Sequence, residues 1–262
     1  MSVTTDGRRF GGVGRLYGEG NALRLKDSHV VVVGMGGVGS WSVEALARTG
    51  IGHLTLIDGD SYALSNTNRQ LCALDGNYGK SKAEAQSERI RLINPDCSVE
   101  VIPLFVKAQT IEGMIPDDAD WVIDCIDDLA AKALLIGTIR GRGQKICTAG
   151  GAGARIDPSR VTSADLARAK GDPLLGKLRT MLRKEYGFPS GSADGRSKLF
   201  GVPAVFSDEP LRQPGEDSLK AAGAAPGERI GFGSGVVVTA TAGLRLASIV
   251  INDIVGSQST AA

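Results

Sequence analysis

Two carboxylates, two amides and two cations lie close together in the first third of the chain: Asp58, Asp60, Asn66, Gln70, Arg69 and Lys82. They follow a glycine loop, Gly34-Met35-Gly36-Gly37-Val38-Gly39. In such a loop Gly34 permits the tight turn, Gly36 lets backbone approach a phosphate, and Gly39 lets helix and strand pack closely. The first N–H groups of the helix then face an anion. Asp58 stands about 20 residues beyond the loop, where an acidic residue takes the hydroxyls of a ribose. That much would suit NAD and an oxidoreductase. Arg69 and Lys82 argue otherwise, because two bridged phosphates need no further cations and a triphosphate does.

Positioning these groups requires alternating strands and helices. The β-branched run His29 to Val33 reads as a strand buried on both faces, Ser40 to Thr49 as a helix, and His53 to Ile57 as a second strand. Lys80 to Asn94 has helical composition and is stopped by Pro95. Ser98 to Leu104, Trp121 to Cys125 and Lys145 to Ala149 read as strands, with a helix over Leu129 to Arg140. Asp124 and Asp127 then fall at the carboxyl edge of the sheet, where open α/β sheets bind ligands. The expected fold class is α/β: a Rossmann-like, mostly parallel sheet flanked by helices. After Gly150 the rhythm breaks, and Gly150 to Val161 reads as two short strands about the Asp157-Pro158 turn, continuing the sheet antiparallel. One domain spans 1–262, with a nucleotide-binding core over 29–149 and, over 150–255, an antiparallel extension, substrate loops and a C-terminal helix. The loops are Gly187 to Lys198 and Leu211 to Glu228, both read as flexible.

A formal net charge of +1 gives no global attraction to nucleic acid, so any such binding needs a local patch. Thr162 to Tyr186 supplies one, with Arg168, Lys170, Lys177, Arg179, Arg183 and Lys184, although a solvated helix face reads the same way. The four cysteines, Cys72, Cys97, Cys125 and Cys147, are scattered without a CxxC, which argues against zinc and against a disulfide framework. A cytoplasmic, reducing setting fits, and peripheral membrane association stays open. Met1 to Gly7 is polar and reads as no signal peptide. The apolar run Gly235 to Ile251 contains Arg245 and falls short of the ~20 residues of a spanning helix, so a buried helix is expected.

The glycine loop, Asp58, Asn66-x-x-Arg69-Gln70, Lys82 and Asp127, in that order, resemble the superfamily of ubiquitin-activating enzymes and the adenylating enzymes of molybdopterin and thiazole synthesis. The second half narrows the likeness. Ile156-Asp157-Pro158, Gly171-Asp172-Pro173-Leu174, Lys177-Leu178-Arg179 and Val205-Phe206-Ser207-Asp208-Glu209-Pro210, with the opening Arg9-Phe10-Gly11-Gly12, look like the tRNA threonylcarbamoyladenosine dehydratases.

That resemblance implies an enzyme that uses ATP and Mg²⁺, with a monovalent cation, K⁺ or Na⁺, as a further expectation. Its substrate would be tRNA carrying threonylcarbamoyladenosine, whose threonine carboxylate is adenylated. The carbamoyl group then closes an ester-like ring and expels AMP, with net loss of water. By the same resemblance Arg69 and Lys82 bind the γ- and α/β-phosphates, Asn66 and Gln70 orient them, Asp58 holds the ribose, and Asp127 holds Mg²⁺. Gly37 and Asp60 belong to the same nucleotide site. The resemblance also implies a homodimer, in which Arg9 or Arg15 reaches the partner's ATP, and allows a sulfur-transfer partner protein. The alternative within the superfamily is adenylation of the C-terminal carboxylate of a ubiquitin-like sulfur carrier. Enzymes that relay a thioester keep a cysteine after the sheet, and this chain has none after Cys147. A silent binding scaffold is disfavoured because every expected ATP-site residue type is present.

Overall fold

Val30 and Val32 pack on one side of the central sheet and Val31 and Val33 on the other, as a strand buried on both faces must. In the computed structural model, which describes residues 8–190, 198–213 and 232–256, this strand, β1 (His29–Val33), is an interior strand of a seven-stranded sheet. The N-terminal stretch 1–7, the tail 257–262 and the greater part of both expected loops lie outside the described residues.

Two short helices, α1 (Gly11–Tyr17) and α2 (Glu19–Asp27), precede β1. Then come α3 (Gly39–Thr49), β2 (His53–Ile57), α4 (Lys82–Ile93), β3 (Ser98–Ile102), β4 (Trp121–Asp124), α5 (Leu129–Gly141) and β5 (Ile146–Ala149). The second half adds β6 (Val161–Asp165), α6 (Pro173–Glu185), β7 (Pro203–Ser207) and α7 (Val236–Ile254). The strand order is β3-β2-β1-β4-β5-β7-β6. All neighbours run parallel except β6, which pairs antiparallel with β7.

The expected pair of strands about Asp157-Pro158 is not formed. Asp157 instead accepts from Ser159 N at 2.9 Å and opens a 3-10 turn over Pro158–Arg160, so a single strand, β6, follows. The antiparallel part of the sheet is therefore its edge strand alone, and the basic stretch divides into β6, a turn, and α6 capped by Asp172, which accepts from Leu175 N at 2.9 Å.

α7 is long and apolar enough to cross a membrane, the single such helix among the described residues. Ala242, Leu246, Ala247, Val250 and Ile251 put one of its faces into the core against α3 and the sheet. Gly243 makes the approach possible: a Cβ there would stand 2.3 Å from the carbonyl oxygen of Val38. Ser42 Oγ donates to the Gly243 carbonyl at 2.9 Å, tying α7 to the helix that follows the glycine loop.

Candidate active site

The carboxyl ends of β1 to β5 open on one cavity of about 820 Å³, and each strand delivers one part of its lining. β1 delivers the glycine loop. Gly34 has φ +91°, and a Cβ on it would press on the Cys125 carbonyl at 3.0 Å; a Cβ on Gly39 would stand 1.8 Å from the carbonyl oxygen of Gly34. Any side chain at either position would reopen the loop. Gly36 and Gly37 line the cavity between them.

β2 delivers Asp58. Its carboxylate accepts from Met35 N at 2.5 Å and from Asp60 N at 2.8 Å, so it clamps the glycine loop to the turn after β2. Burial pushes its pKa up despite those bonds. Lys82, at the start of α4, is 7% exposed and pairs with Asp60 at 2.5 Å. At Asp60 partial burial works upward but is outweighed by the Lys82 bond, and its pKa falls. The phosphate-binding cation expected at Lys82 is thus held at the cavity by a carboxylate.

The segment between β2 and α4 carries the other polar groups. Asn66 ends a short 3-10 turn, and its Oδ1 accepts from Ala63 N at 3.0 Å, which commits the oxygen to its own loop and leaves the amide nitrogen for a ligand. Arg69 is half-buried, with Nη1 on the Ser65 carbonyl and the Asn68 Oδ1, each at 3.0 Å. Gln70 is buried against the glycine loop, and its Oε1 has no partner within the described structure. A buried amide without partners at the wall of a cavity marks a place where a ligand completes the bonding.

β4 delivers two acidic residues with different fates. Asp127 is exposed and lines the cavity. Asp124, expected at the ligand-binding edge with it, is turned inside and fully buried. There Lys132 of α5 donates to it at 2.7 Å, as does Thr148 of β5. Its other oxygen accepts from Ile126 N at 3.0 Å, fixing the loop that presents Asp127. Lys132 and Thr148 were not legible as site supports, since a lysine in a helix reads as surface until α5 is docked.

β5 delivers Gly150, Gly151, Ala152 and Gly153 as the far wall. Arg155, 2% exposed, braces it through Asp172 at 3.2 Å and the Gly151 carbonyl. Ala154 holds φ 60°, a conformation L-residues other than Asn and Asp rarely adopt.

Of the N-terminal arginines, Arg9 caps α4, donating to the carbonyl of Ile93 at 2.8 Å, whereas Arg15 is exposed. In the basic stretch, Arg179 donates to the Ala169 carbonyl and Arg183 to the Pro189 carbonyl, with Arg183 also over the Phe200 ring at 5.3 Å. Arg168, Lys170, Lys177 and Lys184 are exposed. No group of three metal-ligating side chains occurs among the described residues. Burial pushes Cys72 to about 11, and Cys97 and Cys125 to about 12, which makes poor nucleophiles of all three.

Sheet, glycine loop and flanking cations define a nucleotide-binding protein of the adenylating kind, and the chain belongs to the ThiF family, whose model matches residues 13–180. Its relatives are more specific than that. It is 42% identical over 252 residues to the tRNA threonylcarbamoyladenosine dehydratase of Haemophilus influenzae, covering 96% of this chain and 95% of that protein. It is 46% identical to the Escherichia coli enzyme of that name, covering 90% and 89%. The crystal structure of the E. coli tRNA N6-threonylcarbamoyladenosine dehydratase in complex with ATP superposes with a TM-score of 0.85 at 40% identity, covering 100% of each chain.

Proposed function

We propose that the chain is an ATP-dependent dehydratase of threonylcarbamoyladenosine in tRNA. The observation that carries this reading is the order of groups along one cavity: Asp58, glycine loop with Arg69 and Lys82, then Asp127, in a chain similar end to end to enzymes of that activity. Asp58 takes the ribose of ATP, and the N-terminus of α3 takes its phosphates. The threonine carboxylate attacks the α-phosphorus, the bond to the bridging oxygen breaks, and pyrophosphate leaves. Arg69 and Lys82 neutralise the charge gathering on that leaving group, and Gln70 orients it. In the second step the carbamoyl group bonds to the activated carbonyl carbon, loses its proton, and AMP leaves. The nucleophile is already tethered, so no enzyme-bound acyl group is needed.

Asp127 suits Mg²⁺, which is held in such sites by one or two carboxylates together with substrate phosphates, so the absence of a three-ligand cluster among the described residues is no obstacle. The metal would supply charge neutralisation across the phosphates. If a homodimer forms, Arg15 is the better candidate to cross it, since Arg9 is committed to α4. The competing reading, adenylation of a carrier protein's C-terminus, shares the ATP site but lacks a suitable cysteine for onward transfer. Pyrophosphate exchange into ATP separates them: it should require threonylcarbamoyladenosine-bearing tRNA and be absent with a carrier ending in Gly-Gly. Exchange with the carrier alone would overturn the proposal.

A further inference from the structure

Two aromatic rings line the cavity among the described residues, and they stand at opposite ends of it. Phe105, after β3, packs over Gly59, where a Cβ would stand 2.7 Å from the ring, and so lies beside Asp58 on the ribose side. Phe232, just before α7, lies against Gly153 beyond β5, its Cβ 3.1 Å from the position a Gly153 Cβ would take. In the strand order β3-β2-β1-β4-β5 the first ring belongs to the β3–β2 side and the second stands against the loop beyond β5. Both rings are about half exposed, at 54% and 53%.

The segment carrying Phe232 is pinned on both sides. Ala154 N donates to the Gly233 carbonyl at 2.7 Å, and Asn68 Nδ2 donates to the Ser234 carbonyl at 2.7 Å. The first of these bonds comes from the residue in the left-handed conformation, so backbone strain is retained where it fixes this segment. A ring that leaves a pinned backbone with half of its surface open is arranged to receive something flat and apolar.

Reading along the edge from β3, the groups suit base, ribose, phosphates and metal, and the acyl substrate must enter beyond the α-phosphate, on the β5 side. In threonylcarbamoyladenosine the reacting carboxyl is joined to N6 of adenine through the carbamoyl carbon, the amino nitrogen and Cα alone. A carboxylate placed at the α-phosphorus therefore brings its own adenine to the far wall. The reaction has two adenines to hold, and the cavity has one exposed ring at each end. The geometry points to Phe232, over Gly153, as the stacking platform for the modified adenine of the tRNA, with Phe105 serving the adenine of ATP. This rests on the dehydratase reading above. The glycine at 153 lets the Phe232 segment approach this wall closely, and base stacking on an aromatic side chain needs no particular hydrogen-bond pattern.

The test is equilibrium binding of the free nucleoside threonylcarbamoyladenosine by calorimetry, alongside steady-state kinetics with modified tRNA. Phe232→Ala should weaken nucleoside binding and raise KM for tRNA about tenfold, leaving KM for ATP within about twofold. Phe232→Trp should restore both, which a merely structural loss would not allow. Phe105→Ala should do the reverse, raising KM for ATP and sparing nucleoside affinity. Unchanged nucleoside affinity in Phe232→Ala, or no nucleoside binding by the unaltered chain, would overturn the assignment. Failure of the dehydratase reading shows separately, as an unaltered chain that leaves modified tRNA untouched.

Discussion

Asp124 and Asp127 sit three residues apart and differ in everything that decides a carboxylate's use. One is fully buried with a lysine and a threonine, and the other is exposed at the cavity. Asp127→Ala should therefore lower turnover at least about 100-fold while leaving the melting temperature within a degree or two, because an exposed side chain contributes little to stability. Equal activity at saturating Mg²⁺ would remove Asp127 from the site. The Asp60–Lys82 pair makes a different prediction. The folded-state pKa of Asp60 lies below its ordinary 3.8, so the pair's contribution to stability is present above that value and is lost as pH falls through the lowered folded pKa. Asp60→Asn should flatten the acid limb of melting temperature against pH below about pH 4, with the difference from the parent shrinking as acid is added. A difference that grows on acidification would contradict the assigned direction.

Elements were legible where periodicity was strong and opaque where turn chemistry decided. The buried run at β1 and the glycine loop could be read directly, because a β-branched strand followed by GxGxxG has few other outcomes. The stretch around Asp157 misled, because an Asp-Pro pair serves a hairpin and a 3-10 turn equally well, and only the pairing of β6 with β7 decides. Lys132 shows a second limit: burial of a helix lysine depends on a partner strand that sequence spacing does not reveal. Lys132→Met should destabilise by about 3–5 kcal/mol, since it strands a buried carboxylate, and Lys132→Met with Asp124→Asn should recover part of that loss. Denaturant unfolding of the single and double variants decides it, and an additive double variant would show that the two side chains do not interact. α7 offers a packing test of its own. Gly243→Val must displace the Val38 carbonyl or α7 itself and should cost about 1–3 kcal/mol or more, with ATP affinity falling too because Val38 belongs to the glycine loop.

At the scale of the whole molecule the charge is close to balanced, so a large polyanion must be met locally. The structure redraws the candidate patch: Arg179 and Arg183 are engaged with backbone carbonyls, leaving Arg168, Lys170, Lys177 and Lys184 as the exposed cations of that stretch. Lys177→Glu with Lys184→Glu should raise KM for tRNA, lower the salt slope of binding by about 1 per lost phosphate contact, and leave KM for ATP unchanged. An untouched salt slope would make this face ordinary solvated surface and send the search to the N-terminal arginines. The nucleotide-binding candidates were readable as a group because they follow one another in order along the chain, and the structure brings them to one cavity. The far wall was not, because Gly153, Arg155, Asp172 and Phe232 meet only through tertiary contact. The most direct test of the function is mass analysis of tRNA nucleosides after incubation of threonylcarbamoyladenosine-bearing tRNA with this protein and ATP. The account predicts a modified nucleoside lighter by one water, formed only when ATP is present, whereas an unchanged threonylcarbamoyladenosine mass with active protein and ATP would contradict it.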